Sequence, residues 1–177
     1  MPLHSQRLAT PLGSMLAVAD DRGLVLCEFV DRTRIARQLA RVERICGGRP
    51  IDAPHAILDQ TQRELNEYFL GQREGFTIPL VLGGTPFQAA VWNELLQIPF
   101  GKTLSYDAVA TKIERPGGAR AVGRANGDNR IAIIVPCHRV INANGALAGY
   151  GGGRHRKRWL ISHEKRGVQL SLGPDWE

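Results

Sequence analysis

The sequence predicts an α+β protein in which an antiparallel sheet with two helices comes first and a group of short helices follows. Short apolar runs separated by turn signals fill the first thirty residues, and helical periodicity begins after them. The segment Gly83-Gly84-Thr85-Pro86 then marks a joint between two units. We therefore expect an N-terminal domain over 1–83 and a C-terminal domain over 84–177.

The N-terminal unit is predicted to be a meander of three strands followed by two helices. Strands are expected over 6–10, 14–19 and 23–30, because Pro11-Leu12-Gly13 and Asp20-Asp21-Arg22-Gly23 between them are turn signals. Thr33 is a candidate cap for a helix that ends at Gly47-Gly48. The apolar positions expected on its inner side are Ile35, Leu39, Val42 and Ile45. A second helix is predicted over 56–70.

The C-terminal unit is predicted to contain a helix-turn-helix bundle. Thr85 and Pro86 begin a helix that Pro99 ends, and Ser105 caps a second helix over 106–113. Pro116 is expected to open a third helix that reaches about residue 126, and a last helix is expected from Arg154 to Glu164. Three short helices with tight connections are typical of this DNA-binding motif.

The charge of the chain is concentrated in its second half. Residues 1–100 carry 10 Lys or Arg and 11 Asp or Glu, whereas residues 101–166 carry 13 basic and 4 acidic residues. A strongly basic half beside a neutral half suggests a surface that faces a polyanion, with nucleic acid the first candidate. The alternative is a basic, solvated surface on an unrelated enzyme.

The three cysteines, Cys27, Cys46 and Cys137, favour reduced thiols over disulfides or a zinc site, because their number is odd and they form no C-x-x-C pair. Cys137 precedes His138 in an otherwise apolar run, and a thiol beside an imidazole can become a nucleophilic thiolate. The competing interpretation is a buried structural cysteine, which is the commoner state of free Cys.

The third helix is unusually rich in small residues. Gly117, Gly118, Ala119 and Gly123 surround Arg120 and Arg124, which lie four residues apart on one face. Because glycine destabilises helices, this composition suggests close approach to another surface. A glycine-rich loop over 142–153 matches no nucleotide-binding motif and is interpreted as a flexible wing.

Together these segments resemble the O6-alkylguanine-DNA alkyltransferase family, also called methylated-DNA:protein-cysteine methyltransferases. The resemblance rests on Pro136-Cys137-His138-Arg139-Val140, Ala119-Arg120-Ala121-Val122-Gly123, Asn129, Gly149-Tyr150, Lys157, Trp159-Leu160 and His163-Glu164. It is strong from Thr85 to Glu164, weak before that, and does not cover the tail over 167–177. It implies an N-terminal ribonuclease-H-like α/β roll and a C-terminal winged-helix-like domain.

The resemblance also implies a single-turnover DNA repair reaction. Cys137 would accept an alkyl group from O6 of guanine, with His138 as a base acting through a water and Glu164 orienting the imidazole. Tyr106 would assist flipping of the base and donate to guanine N3. Arg120 would fill the vacated stack while Ala119 and its small neighbours enter the minor groove, and Arg124 would add a DNA contact.

Further residues acquire roles from the same resemblance. Asn129 would hold the turn before the active-site segment, and the carbonyls of Cys137 and Val140 would accept from the guanine amino group. Tyr150 and Lys157 would belong to the pocket. Gly151 stands where some members have serine, so only its N–H could contact O6.

The remaining expectations concern cofactors, partners and location. No cofactor is implied, and no match to the zinc ligands of certain members is evident, so we expect no metal. The partner is duplex DNA containing O6-alkylguanine, bound by a protein that is monomeric in solution. No signal peptide or membrane span is evident, which predicts a cytoplasmic protein. The alternatives are a non-enzymatic winged-helix regulator with an inert cysteine and a Cys-His hydrolase.

Overall fold

The computed structural model describes residues 1–172, with side chains described as far as residue 168. Its contacts divide the chain into two compact units. The first contains Met1–Gly83 together with Arg130–Ile134, and the second contains Gly84–Asn129 and the chain from Val135 onward. The predicted limits, 1–83 and 84–177, did not anticipate that residues 130–134 would join the first unit, and the predicted end at Glu177 lies outside the described residues.

A four-stranded sheet forms the centre of the first unit. Its strands are β1 (His4–Leu8), β2 (Met15–Asp20), β3 (Gly23–Phe29) and β4 (Ile51–Asp52), in the order β3-β2-β1-β4. The first three pair antiparallel, so the predicted meander is confirmed. The short β4 pairs parallel to β1 and was not predicted, because two exposed residues carry no strand pattern.

Two helices complete the first unit, α1 (Ile35–Cys46) and α2 (Ala56–Phe69). In α1, Val42 packs into a core with Val18 and Leu26, while Gly47 ends the helix with a φ of 76°. The prediction of Thr33 as its cap is wrong: Arg34 occupies that position without a side-chain cap. Ile45 is half exposed rather than internal.

The segment Arg130–Ile134 extends the hydrogen bonding of β3. The Cys27 N–H donates to the Arg130 carbonyl at 2.8 Å, and the Ala132 N–H donates to the Cys27 carbonyl at 2.8 Å. Burial raises the pKa of the Cys27 thiol, and the charge of Glu28 adds to this. These contacts agree with a structural role for Cys27.

The second unit contains four helices among the described residues, α3 (Pro86–Leu95), α4 (Tyr106–Lys112), α5 (Ala119–Gly127) and α6 (Arg154–Leu172). Two short strands, β5 (Leu104–Ser105) and β6 (Val140–Ile141), pair in parallel. Thr85 and Ser105 cap α3 and α4 as predicted.

Three predicted boundaries in this unit were wrong. Helix α3 ends at Leu95, before Pro99, and α6 continues past Glu164 to Leu172. Helix α5 begins at Ala119 rather than Pro116, since Gly117 has a φ of 80° and Gly118 N–H closes a turn onto the Arg115 carbonyl at 2.9 Å. No helix within residues 1–172 has the length and apolar character needed to cross a membrane.

Candidate active site

The Cys-His pair lies in a short 3-10 turn at the end of a continuous buried segment. The turn spans Cys137–Arg139 and follows directly on Pro136. Cys137 is 7% exposed, and both of its neighbours in the turn are buried. Ile133, four residues earlier, has a φ of 70°, which is unusual for a β-branched residue. The thiol is therefore held on a tightly constrained segment.

His138 is fixed by a buried carboxylate. Its Nε2 lies 2.7 Å from Glu164 Oε1, and neither residue is more than 1% exposed. The ionised carboxylate can only accept, so Nε2 carries the proton and Nδ1 is left as an acceptor. Nδ1 is buried and makes no hydrogen bond within the described residues. The imidazole is thus held in the tautomer that a general base requires.

Arg139 holds the same carboxylate from the other side. Its Nε donates to Glu164 Oε2 at 2.9 Å and its Nη2 to Oε1 at 3.0 Å, while Nη1 donates to the Ile98 carbonyl at 2.6 Å. This is the two-point guanidinium-carboxylate arrangement that fixes orientation as well as charge. Glu164 is therefore held by His138 and Arg139, and the Gly101 N–H donates to its Oε2 at 3.4 Å.

The protonation states follow from these contacts. Burial lowers the pKa of His138, and the charges of Arg139 and Lys157 add to this against the opposing effect of Glu164. Burial also opposes ionisation of Glu164, but the hydrogen bonds and charges of His138 and Arg139 hold the pKa of its carboxyl well below the usual range. A neutral imidazole beside an ionised carboxylate is the state expected near neutral pH.

Lys157 is a completely buried cation on the other side of the turn. Its Nζ donates to the Val140 carbonyl at 2.6 Å and lies 5.9 Å from the centroid of the Tyr106 ring. Burial lowers the pKa of Lys157, whereas the charge of a Cys137 thiolate opposes this lowering. Burial and the same thiolate raise the pKa of Tyr106, so its hydroxyl stays protonated and can donate.

Two asparagines bind the backbone around the turn. Asn129 Nδ2 donates to the Val135 carbonyl at 2.9 Å, and Asn126 Nδ2 donates to the Cys137 carbonyl at 3.2 Å. The Val140 N–H also donates to the Cys137 carbonyl. With two donors already present, that carbonyl has no lone pair left. The expectation that it accepts from guanine therefore needs one of these bonds to be released.

The predicted DNA-contact residues lie on the accessible side of α5. Arg120 and Arg124 are exposed and Ala119 is half-buried, while Val122 and Ala125 face the interior. A Cβ added at Gly117 or Gly127 would meet nothing within 4 Å. The helix thus presents two arginines on a surface with few bulky side chains. Tyr150 is half-buried and Gly151 exposed, in the loop before α6.

Comparisons with known proteins match both units of the chain. The 6-O-methylguanine DNA methyltransferase ribonuclease-like domain matches residues 3–82, and the DNA binding domain of the same family matches residues 86–166. The chain belongs to the 6-O-methylguanine DNA methyltransferase family.

Individual members of this family are similar over almost their full lengths. A methylated-DNA–protein-cysteine methyltransferase of Shigella flexneri is 42% identical over 92% of this chain and 95% of its own. One from Mycobacterium leprae is 42% identical over 96% and 97%. A crystal structure of the Mycobacterium tuberculosis protein in complex with DNA is 40% identical, with a TM-score of 0.80, over 96% of this chain and 97% of that one. The predicted α+β fold, a ribonuclease-like domain followed by a DNA-binding domain, is confirmed.

The sequence analysis missed two residues that hold the candidate site in place, Arg139 and Asn126. Arg139 was recognised only as part of the Pro136–Val140 motif, although a cation in an apolar run needs a buried partner. Asn126 follows Val122 by four residues, so it lies on the buried face of α5. A polar side chain on an apolar helical face is the signal that would have indicated a buried hydrogen bond.

Proposed function

We propose that this protein repairs DNA by transferring the alkyl group of O6-alkylguanine to the Sγ atom of Cys137. The observation that carries the proposal is the buried pair His138–Glu164 beside that cysteine, with Nδ1 of the imidazole left as an acceptor. Family membership supplies the substrate, since the relatives are named for methyl transfer from DNA to a cysteine.

The reaction begins with deprotonation of the thiol. An unperturbed cysteine has a pKa near 8.5, so only a few per cent is thiolate at neutral pH. His138 Nδ1 accepts the proton of Cys137 through a bridging water, and Glu164 stabilises the imidazolium that results. The buried charge of Lys157 stabilises the thiolate.

Alkyl transfer is then a single displacement. The thiolate attacks the alkyl carbon, the S–C bond forms as the C–O6 bond breaks, and the electron pair of that bond stays with the guanine. Tyr106 donates a hydrogen bond to N3 of the leaving base, which offsets the charge that develops there. The proton lost by the thiol is balanced by one that the guanine gains. The product is a thioether with no ready leaving group, so each molecule acts once and needs no cofactor.

The damaged base must leave the duplex before a thiol that is 7% exposed can reach it. Helix α5 enters the minor groove with Ala119 against the backbone, Arg120 fills the vacated stack, and Arg124 contacts phosphate. The exposure of both arginines supports this assignment.

Four more residues complete the pocket. Asn129 holds the turn through the Val135 carbonyl. The Val140 carbonyl, which already accepts from Lys157 Nζ, accepts also from the guanine amino group. Tyr150 forms a wall, and the N–H of Gly151 contacts O6. A cytoplasmic location and a monomeric state in solution remain predictions.

Mass spectrometry of the intact protein tests the proposal. Incubation with a duplex containing O6-methylguanine should add one methylene unit to one molecule of protein. The gain should be lost in Cys137→Ala and kept in Cys46→Ala, the matched control at a partly exposed cysteine. An unchanged mass with intact DNA binding would contradict the proposal and favour a regulator with an inert cysteine.

A further inference from the structure

Helix α5 carries a buried polar side chain that the proposed chemistry does not use. Asn126 is 6% exposed and lies on the inner face of the helix, together with the apolar residues Val122 and Ala125. A buried amide costs free energy unless both of its ends are hydrogen-bonded. An apolar side chain would suit this position, so the presence of an amide calls for an explanation.

One end of the amide is bound to the residue that carries the nucleophile. Asn126 Nδ2 donates to the Cys137 carbonyl at 3.2 Å. Because a carbonyl can only accept, this contact decides which end of the amide is the nitrogen and which is the oxygen. The amide is therefore held beside Cys137 in a defined orientation, with Oδ1 as the end that does not face the carbonyl.

The other end of the amide is a buried acceptor that lacks a donor. Asn126 Oδ1 makes no hydrogen bond within the part of the chain that the structure describes, and the same is true of His138 Nδ1. Neither the Cys137 thiol nor any N–H of the described residues therefore donates to these two atoms. Both unsatisfied acceptors belong to groups that adjoin Cys137, one as its hydrogen-bond partner and one as the next residue.

A single water molecule has the hydrogen-bonding capacity that both acceptors need. A buried water makes about three hydrogen bonds to groups that otherwise have no partner. Its two protons would serve Asn126 Oδ1 and His138 Nδ1, and its oxygen would accept from the Cys137 S–H. The bridging water of the proposed reaction needs only two of these three partners, so Asn126 supplies the third.

We propose that Asn126 holds the water that carries the proton from Cys137 to His138. The water accepts the Sγ–H proton, gives one of its own protons to His138 Nδ1, and donates the proton that it keeps to Asn126 Oδ1. It is therefore a neutral water again after the transfer, and its third contact fixes the direction in which it accepts and donates. Asn126 is a positioning residue that acts through this water, and its role rests on the proposed function.

The test compares methyl transfer from free O6-methylguanine by the wild type and by Asn126→Leu over a range of pH. Leucine has the same branching as asparagine but can neither donate nor accept. At neutral pH the variant should be about tenfold slower, because the water loses one hydrogen bond. Above the ordinary thiol pKa of about 8.5 the thiolate forms without a base, so the two rates should converge by about pH 9.5. A rate ratio that is the same at every pH would overturn the proposal.

Two further variants control for packing. Asn126→Ala adds no bulk to the interior and should show the same pH dependence as Asn126→Leu. Trp92→Phe is the matched control, because Trp92 Nε1 donates to the Ala125 carbonyl of the same helix at 2.8 Å. Its loss should reduce stability but leave the wild-type pH profile. Equal changes of the profile in Trp92→Phe and Asn126→Leu would assign the effect to packing around α5 and contradict the role of Asn126.

A double-mutant cycle with His138→Gln supplies a second readout. Without an imidazole the water has no base to which it can pass a proton, so Asn126→Leu should slow His138→Gln by about twofold at most. A merely structural role would slow transfer equally in both backgrounds. If the wild type transfers no methyl group to Cys137, the proposed function fails. If it does and both backgrounds are slowed equally, only the role of Asn126 is disproved.

Discussion

At the scale of single residues, the side chain that most constrains the site is Arg139. It supplies two of the hydrogen bonds that Glu164 accepts, and the carboxylate in turn holds His138. A buried carboxylate that loses its cationic partner keeps the full penalty of desolvation. Arg139 is therefore a positioning residue whose effect on the thiol passes through two others.

Replacement of Arg139 by methionine should lower the free energy of unfolding by about 3 to 5 kcal/mol, the range for removal of one member of a buried ion pair. Urea denaturation followed by circular dichroism measures this. Arg166→Met, at an exposed position of α6, is the control and should change stability little. Arg139→Lys should recover only part of the loss, because an ammonium group cannot bind both carboxylate oxygens in the same plane. Equal stability of the methionine variant and wild type would show that the pair contributes nothing.

At the scale of elements, an N-terminal cap can both stabilise a helix and orient a residue proposed to act in the reaction. Ser105 caps α4 by accepting from the Ala108 N–H at 3.0 Å, and Tyr106 is the first residue of that helix. Thr85 caps α3 in a reciprocal arrangement with Gln88. The two caps are alike in chemistry, but only the first orients a residue assigned to the reaction.

Ser105→Ala and Thr85→Ala should each lower the free energy of unfolding by about 1 kcal/mol, as is usual for loss of an N-cap. Only Ser105→Ala should also slow methyl transfer from duplex DNA, because Tyr106 loses its fixed starting position. Single-turnover kinetics with excess protein would measure the rates. A similar slowing in both variants would mean that the loss follows stability rather than the position of Tyr106.

Helix α5 permits a separate test of the role proposed for Arg120. Arg120→Ala should slow transfer from a duplex much more than transfer from free O6-methylguanine, since only the duplex has a stack to be filled. Lys112→Ala, at the exposed end of α4, is a control that removes one charge without altering α5. Equal slowing on both substrates would contradict the assignment of Arg120.

The elements also show where sequence reasoning succeeds and where it stops. The caps Thr85 and Ser105 were predictable because their chemistry is local. The start of α5 was not, since Pro116 favours a first helical position and only the left-handed turn at Gly117 overrides it. The sequence also could not show that residues 130–134 join the first unit, because an apolar run is compatible with a buried strand in either unit.

At the scale of the whole molecule, the number of basic residues in the sequence overstates the number of exposed cations that can contact DNA. Four of the 13 cations in residues 101–166 are buried, namely Arg130, Arg139, Arg156 and Lys157. Arg139, for example, neutralises a carboxylate, and Lys157 donates to a carbonyl. The count of basic residues indicated the correct partner, but part of that charge stabilises the site instead of binding DNA.

Acid should destabilise the whole protein in two steps, whose order follows from two lowered pKa values. Burial lowers the pKa of His138 below its ordinary 6.5, so the unfolded chain binds that proton more readily and stability is lost as the pH falls below 6.5. The pKa of Glu164 lies below its ordinary 4.5, so the stability from its ion pairs is present above pH 4.5 and lost below it.

His138→Gln should remove the first step and leave the second. One proton contributes up to about 1.4 kcal/mol per pH unit to the slope of unfolding free energy against pH. Urea titrations at a series of pH values would therefore show a shallower slope in His138→Gln than in wild type just below pH 6.5. If both proteins have the same slope there, burial does not hold the imidazole neutral. That result would contradict the proposal that His138 is the base that accepts the thiol proton.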